Sequence, residues 1–192
     1  MNLLARAELD LRGYGGLDER TVIEVLVALA LLTVAALSGL QLLAMATGSM
    51  AAARTQSLAA SLAASRMEQL RALRFELDAA GLRVTDTSTD LTVDPPGAGG
   101  PGLSPSGPAA LDADLAGYVD FLDGRGRWVG NGPGPPPGAA LVRRWSVEPA
   151  DVSGDLIAVQ VLVRPLQGGA VPPGMRAGGE ARFTTLRARV VR

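Results

Sequence analysis

Residues 22–46 read VIEVLVALALLTVAALSGLQLLAMA, and Glu24 and Gln41 are the only strongly polar residues among these 25. As an α-helix the stretch would be roughly 37 Å long, more than the ~30 Å hydrocarbon core of a bilayer. It is too long for the apolar region of a cleaved signal peptide, and no small-residue cleavage site follows it. A buried core helix is the alternative, but the rest of this small chain has too little apolar mass to surround one. The sequence therefore predicts a single membrane span over residues 22–46.

The basic residues around this span are unevenly distributed. Arg6, Arg12 and Arg20 precede it, whereas only Arg54 follows closely. Because basic residues favour the cytoplasmic side of a membrane, we expect a cytoplasmic N-terminus. Residues 1–20 would form a leader-like cytoplasmic segment, and the rest of the chain would lie across the membrane.

The helical signal continues beyond the span. Residues 49–80 contain many strong helix formers and no proline. Seven apolar residues fall on one face at helical spacing: Leu58, Ala59, Leu62, Ala63, Leu70, Leu73 and Leu77. Since Gly81 is a natural stop, the pattern predicts one helix over residues 21–80, first apolar all round and then amphipathic. Its second half is expected to pack on a folded domain.

Residues 81–192 are predicted to form a loop-rich β region. Gly- and Pro-rich loops cover residues 94–108, 131–138 and 167–179. Strand patterns occupy 118–122 and 127–129 around an Asp-Gly turn, then 141–147, 156–163 and 182–191. In the last strand we expect Arg187 and Arg189 to face solvent. A helix followed by strands gives an α+β fold, with the long helix packed on a small antiparallel sheet.

Composition argues against several functions. The formal net charge is −1, so no basic field is present to hold nucleic acid. The chain has no Cys and no His, which removes the usual general base, nucleophilic thiol and commonest metal ligands. We therefore predict no catalytic residue, cofactor or metal site, and a membrane-tethered hydrolase is disfavoured.

Asp112, Asp114, Asp120 and Asp123 lack EF-hand spacing and are interpreted as turn-forming, solubilising residues. Trp128 and Trp145 are expected to pack sheet against helix rather than bind sugar or peptide.

Glu24 is the residue most indicative of function. A carboxylate near the start of a membrane span is costly unless it meets a partner, and such residues commonly mark function. The competing interpretation is that Glu24 reaches the headgroups or pairs with Arg20 one turn back.

The stretch TVIEVLVALALL, residues 21–32, resembles the N-terminal signature of type IV prepilins and type II secretion pseudopilins. Thr21, Val22, Ile23 and Glu24 match the family positions in turn, and SLAASRMEQLRAL (residues 61–73) resembles the following segment of minor subunits. The resemblance implies a pilin-like fold and a subunit that waits in the bacterial inner membrane. It also implies cleavage and methylation by a prepilin peptidase, then addition by an inner-membrane assembly platform to a periplasmic pseudopilus or surface pilus. In that family the Glu neutralises the N-terminal amine of a neighbouring subunit, which makes Glu24 the expected assembly contact.

The processing junction departs from the family pattern. Counting back from Glu24, the first mature residue falls on Arg20 and the preceding glycine on Glu19, so the expected junction is Glu19, Arg20 and Thr21. Cleavage after Gly16, leaving Leu17 as the new terminus, is the alternative.

Two functions therefore remain open from the sequence. The first is a minor pilin or minor pseudopilin that assembles through its apolar helix, in contact with membrane lipid and other subunits. The alternative is a signal-anchored envelope protein that never polymerises and uses its β region to bind a ligand.

Overall fold

The computed structural model describes residues 19–166 and 179–191 of the chain. One helix, α1 (Glu19–Ala72), comes first. The strands that follow are β1 (Phe75–Leu77), β2 (Arg83–Thr85), β3 (Thr89–Asp90), β4 (Gly97–Ala98), β5 (Val119–Leu122), β6 (Trp128–Gly130), β7 (Leu141–Pro149), β8 (Leu156–Pro165), β9 (Ala181–Ala188) and β10 (Val190–Val191). This order confirms the α+β class.

The chain divides into two compact units, one ending at Met50 and the other beginning at Ala51. Helix α1 therefore contributes residues to both. We call residues 21–50 the apolar half of α1, and the unit Ala51–Arg192 the β domain. The last part of the helix thus belongs with the strands.

The prediction that the helix reaches residue 80 is wrong, because α1 ends at Ala72. Residues 75–77 form β1 instead, which pairs with β2 on one side and β10 on the other. The pairing buries Phe75, and this tertiary contact outweighs the helix propensity of the neighbouring residues. The Asp78 side chain then accepts hydrogen bonds from the backbone N–H groups of Ala80 and Leu82, which closes the β1–β2 turn.

The main sheet has five strands in the order β6-β5-β7-β8-β9, and all neighbouring pairs are antiparallel. The predicted hairpin is confirmed, since β5 and β6 pair across the turn at Asp123. In that turn the Asp123 carboxylate accepts hydrogen bonds from the N–H groups of Arg125 and Arg127. The strands predicted over residues 141–147 and 156–163 are also present, each extended by two residues to Pro149 and Pro165.

One face of this sheet packs on the final part of α1 within the β domain. The helix contributes Ala59, Ala63, Met67 and Leu70 to the buried cluster, with Leu58, Leu62 and Leu73 packed against it. The sheet contributes the alternate residues of β7 and β8, namely Leu141, Trp145, Val147, Ile157, Val159, Val161 and Val163. The predicted amphipathic face is therefore confirmed except for Leu73, which follows the end of the helix but still packs on the cluster, and Leu77, which lies in β1.

The small strands add three differences from the sequence prediction. Strands β1 and β10 form a short parallel pair beside the antiparallel β1–β2 pair. Strand β4 lies inside the predicted loop 94–108 and pairs with β3. The strand predicted over residues 182–191 is interrupted at Arg189.

The predicted loop 167–179 lies outside the described residues except for Gly179, and most of the leader-like segment 1–20 lies outside them too.

The expectation that Arg187 and Arg189 face solvent is also wrong. Arg187 donates hydrogen bonds to the carbonyl oxygens of Leu70 and Leu73, both at 3.0 Å, where α1 ends. Those carbonyls lack helical partners, and the helix end carries a partial negative charge. Arg189 bonds Asp155 at 3.1 Å and stacks over the Phe75 ring at 4.0 Å.

We expect Arg187→Met to lower the free energy of unfolding of the β domain by about 1–2 kcal/mol, because two charge-assisted hydrogen bonds to the helix end are lost. Urea unfolding of the full chain in detergent, followed by tryptophan fluorescence, measures this, since both tryptophans lie in the β domain. Arg164→Met is the matched control, because Arg164 is exposed and no ion pair joins it to another described residue. Equal losses in the two variants would contradict a capping role.

Candidate functional site

The apolar half of α1 is exposed over its entire circumference. Every residue from 21 to 50 is exposed, and its large apolar side chains range from 46% exposed at Val22 to 71% at Met45. Soluble monomers rarely leave so long a run of apolar side chains uncovered. The helix is long and apolar enough to cross a membrane, and other described residues do not bury its most apolar stretch. No other described residue covers this surface, which is compatible with a membrane-spanning anchor.

Glu24 lies on this surface, one turn after the described start of α1 at Glu19. Its side chain is exposed, and among the described residues no ion pair or hydrogen bond involves it. The Glu24 carboxylate therefore remains available to a group outside the described residues.

The other polar side chains of the apolar half behave differently from Glu24. The hydroxyls of Thr33, Ser38 and Thr47 donate to the carbonyl oxygens of Ala30, Val34 and Ala44, at 2.8, 2.8 and 3.0 Å. These bonds within the helix satisfy each hydroxyl locally. The Gln41 carboxamide forms no hydrogen bond to any described residue. Glu24 and Gln41 are thus the two polar side chains between residues 22 and 46 that the described helix leaves without a partner.

The two candidate processing junctions differ in their placement. Glu19, Arg20 and Thr21 all lie in the first turn of α1. Gly16 and Leu17 lie outside the described residues.

The β domain contains a buried ion cluster that was not predicted from the sequence. Arg66 of α1 donates a hydrogen bond to Asp120 of β5 at 2.6 Å. Arg143 of β7 donates two hydrogen bonds to the same carboxylate, at 3.0 and 2.6 Å. Arg66 also donates to the Leu91 carbonyl oxygen and stacks over the Trp145 ring at 4.6 Å. Arg66 is 1% exposed and Asp120 is 0% exposed. The cluster therefore joins the helix, two strands and a loop inside the core.

A signal for this cluster was present in the spacing of the residues. Arg66 lies three residues after Ala63 and four before Leu70, so it shares their buried helix face. Arg143 alternates with Leu141 and Trp145, which places it on the buried face of β7. Nothing in the sequence indicates that Asp120 is the counter-ion that both require.

The interpretation of the four aspartates as turn-forming and solubilising is correct only in part. Asp123 does close a turn. The interpretation is wrong for Asp120, because this residue is a fully buried counter-ion. Asp114 pairs with Arg144 at 2.6 Å, and Asp112 lines a surface groove.

That groove has a volume of about 430 Å³ and lies over β7, β8 and β9, on the face that carries Leu162 and Gln160. Its lining includes five charged side chains: Asp112, Glu148, Arg164, Glu180 and Arg182. None of the five forms an ion pair with another described residue. A polar groove of this kind is one place where the β domain could take a small polar ligand. Within residues 19–166 and 179–191, no three acidic side chains converge closely enough to hold a metal ion.

Both tryptophans serve the packing of the β domain, as predicted. Trp145 is fully buried between α1 and the sheet. Trp128 packs against the same cluster, and its indole N–H donates to the Thr92 carbonyl oxygen at 2.7 Å.

No protein-family model matches this chain, and no curated protein or solved structure does so either. The geometry of the chain is therefore the basis for any assignment of function.

Proposed function

We propose that this chain is a non-catalytic structural subunit, a minor pilin or minor pseudopilin, which is held in a bacterial membrane by the apolar half of α1. The subunit waits in the inner membrane with its N-terminus in the cytoplasm and its β domain outside. A prepilin peptidase processes it, and an inner-membrane assembly platform adds it to a pilus or pseudopilus made of similar subunits. Glu24 is the contact to the neighbouring subunit.

The observation that carries this proposal is the contrast along one helix. The apolar half of α1 is exposed on all sides, whereas the part in the β domain buries one face against a sheet. Lipid can cover the apolar half before assembly, and similar helices can cover it afterwards, because lipid tails and apolar helices provide comparable surroundings. An anchor that only held the chain in lipid would gain nothing from an unpaired Glu24, which is costly there.

A second function is favoured by a different observation. The polar groove over β7–β9 holds five charged side chains that pair with no other described residue, and it would serve a membrane-anchored envelope protein that binds a small polar ligand and never polymerises. In that case Glu24 reaches the headgroup region as an ordinary interfacial residue.

One experiment separates the two functions. The chain is expressed in a filament-forming bacterium with and without its prepilin peptidase, and the N-terminal residue is determined by mass spectrometry. We expect a shortened, methylated N-terminus that depends on the peptidase, together with recovery of the chain in sheared surface filaments or pseudopili. An unprocessed Met1 terminus combined with absence from these fractions would refute the filament function and favour the ligand-binding anchor.

A further inference from the structure

The groove over β7–β9 combines an apolar base with a charged rim. Leu162 of β8 lies at its base and is 8% exposed, and Pro108 and Leu111 contribute a wall from the loop before β5. This loop is fixed to the sheet, because Arg144 of β7 donates a hydrogen bond to the Leu111 carbonyl oxygen at 3.2 Å. The groove is therefore a preformed recess of the β domain, as ligand sites usually are.

Arg182 supplies a positioned positive charge to this groove. It lies on β9, the last strand of the sheet order, and its register partner is Leu162. Its guanidinium donates a hydrogen bond to the side-chain oxygen of Gln160 on β8. Because Gln160 precedes Leu162 by two residues on the same face of β8, this bond holds the guanidinium over the groove. No described carboxylate forms an ion pair with it.

Glu148 supplies a negative charge on the same face of the sheet. Gln160 is the register partner of Ser146, so Glu148 of β7 is its diagonal neighbour across the two strands. Diagonal neighbours of this kind are roughly 7–8 Å apart. Glu148 forms no ion pair with Arg182 or with any other described residue, although its charge is opposite to that of Arg182. The groove thus presents a carboxylate and a guanidinium that are close but not in contact.

The remaining charges of the groove nearly cancel. Arg164 and Glu180 flank the last register pair of β8 and β9, and their charges are opposite. Asp112 adds one negative charge from the loop wall. Since the lining is close to neutral as a whole, it favours neither a multiply charged anion nor a polycation.

We infer that this groove binds a short zwitterionic peptide. The carboxylate of the peptide accepts hydrogen bonds from Arg182, and its ammonium group donates to Glu148. Two extended residues span at most about 7 Å, which matches the separation of the two charged positions. Small apolar side chains of the peptide lie over Leu162. The inference deepens the ligand-binding function proposed above, and it does not depend on Glu24 or on filament assembly.

Blocked dipeptides test the contribution of each peptide terminus. The full chain in detergent is titrated by calorimetry with alanyl-alanine, with its N-acetylated form and with its C-terminal amide. We expect alanyl-alanine to bind, and each blocked form to bind about threefold to tenfold more weakly, because each lacks one charge-assisted contact. Equal affinities for the three peptides, or no binding of any of them, would overturn the inference.

Matched variants assign each peptide terminus to its residue. Arg182→Met should remove the difference between the free and the amidated dipeptide, and Glu148→Gln should remove the difference between the free and the acetylated one. Arg125→Met changes an exposed arginine outside the groove and should bind all three peptides like the unaltered chain. Unchanged discrimination in Arg182→Met and Glu148→Gln would overturn the assignment. The peptidase experiment above is independent of these titrations, so failure of peptide binding and failure of the filament function remain distinguishable.

Discussion

Asp120→Asn is expected to lower the free energy of unfolding of the β domain by about 3–5 kcal/mol, the usual cost of breaking a buried ion pair. The variant keeps the size of the side chain but removes the one negative charge that Arg66 and Arg143 share. Two guanidinium groups then lie in the core without a counter-ion. Because domains of this kind are stable by only about 5–15 kcal/mol in total, the loss should be visible as a large shift of the urea midpoint in tryptophan fluorescence.

Two comparisons make this prediction specific. Asp112→Asn removes the same charge from an exposed side chain that forms no ion pair with another described residue, and should change stability by less than about 0.5 kcal/mol. The triple variant R66M/D120L/R143L replaces the whole cluster by apolar side chains and should recover much of the loss, because no buried charge remains. If Asp120→Asn cost no more than Asp112→Asn, the cluster would not be an important element of the core.

Glu24→Ala is expected to leave membrane insertion intact and to reduce incorporation into filaments at least about tenfold. Removing a carboxylate makes the helix more apolar, so insertion cannot suffer. Under the proposed function, incorporation would fail because a neighbouring subunit would lose the negative charge that its own positive group needs in an apolar surrounding. The measurement is the ratio of chain in sheared filaments to chain in the membrane fraction, by immunoblot.

Matched variants distinguish the role of the charge from that of the helix surface. Glu24→Gln preserves the size and hydrogen bonding of the side chain, and should fail like Glu24→Ala if the partner is a cation. Thr33→Ala removes a polar group that already bonds Ala30 within its own helix, so incorporation should be unchanged. Normal incorporation of Glu24→Ala would show that Glu24 is not the assembly contact, and it would leave Glu24 as an interfacial residue.

Those elements that depend on local composition could be predicted from the sequence. The apolar half of α1 follows from an uninterrupted run of apolar residues, and β7 and β8 follow from runs of apolar and β-branched residues bounded by turns. The helix end could not be predicted in the same way. Residues 73–80 have helical composition, and only the pairing of β1 with β2 and β10, which are distant in sequence, makes them extended.

The charged residues show the same limit. Arg187 and Arg189 appear as the polar face of an alternating strand, but both point at groups contributed by residues more than a hundred positions earlier. Asp120 looks like one of several solubilising aspartates until β5 and β7 bring it beside Arg143. The position of Glu24 is evident in the sequence, whereas no described residue forms an ion pair with its carboxylate.

The attachment of α1 to the sheet has a mechanical consequence. Arg66 of the helix forms a hydrogen bond with Asp120 of β5, which also pairs with Arg143 of β7. Arg187 of β9 donates a hydrogen bond to the helix about one turn further on, at the Leu70 carbonyl oxygen. Two separate points of the helix are thus held to the sheet by hydrogen bonds of side chains, one at a buried carboxylate and one at the helix end. A force applied to the helix would reach the sheet through both points, and not through the apolar packing alone.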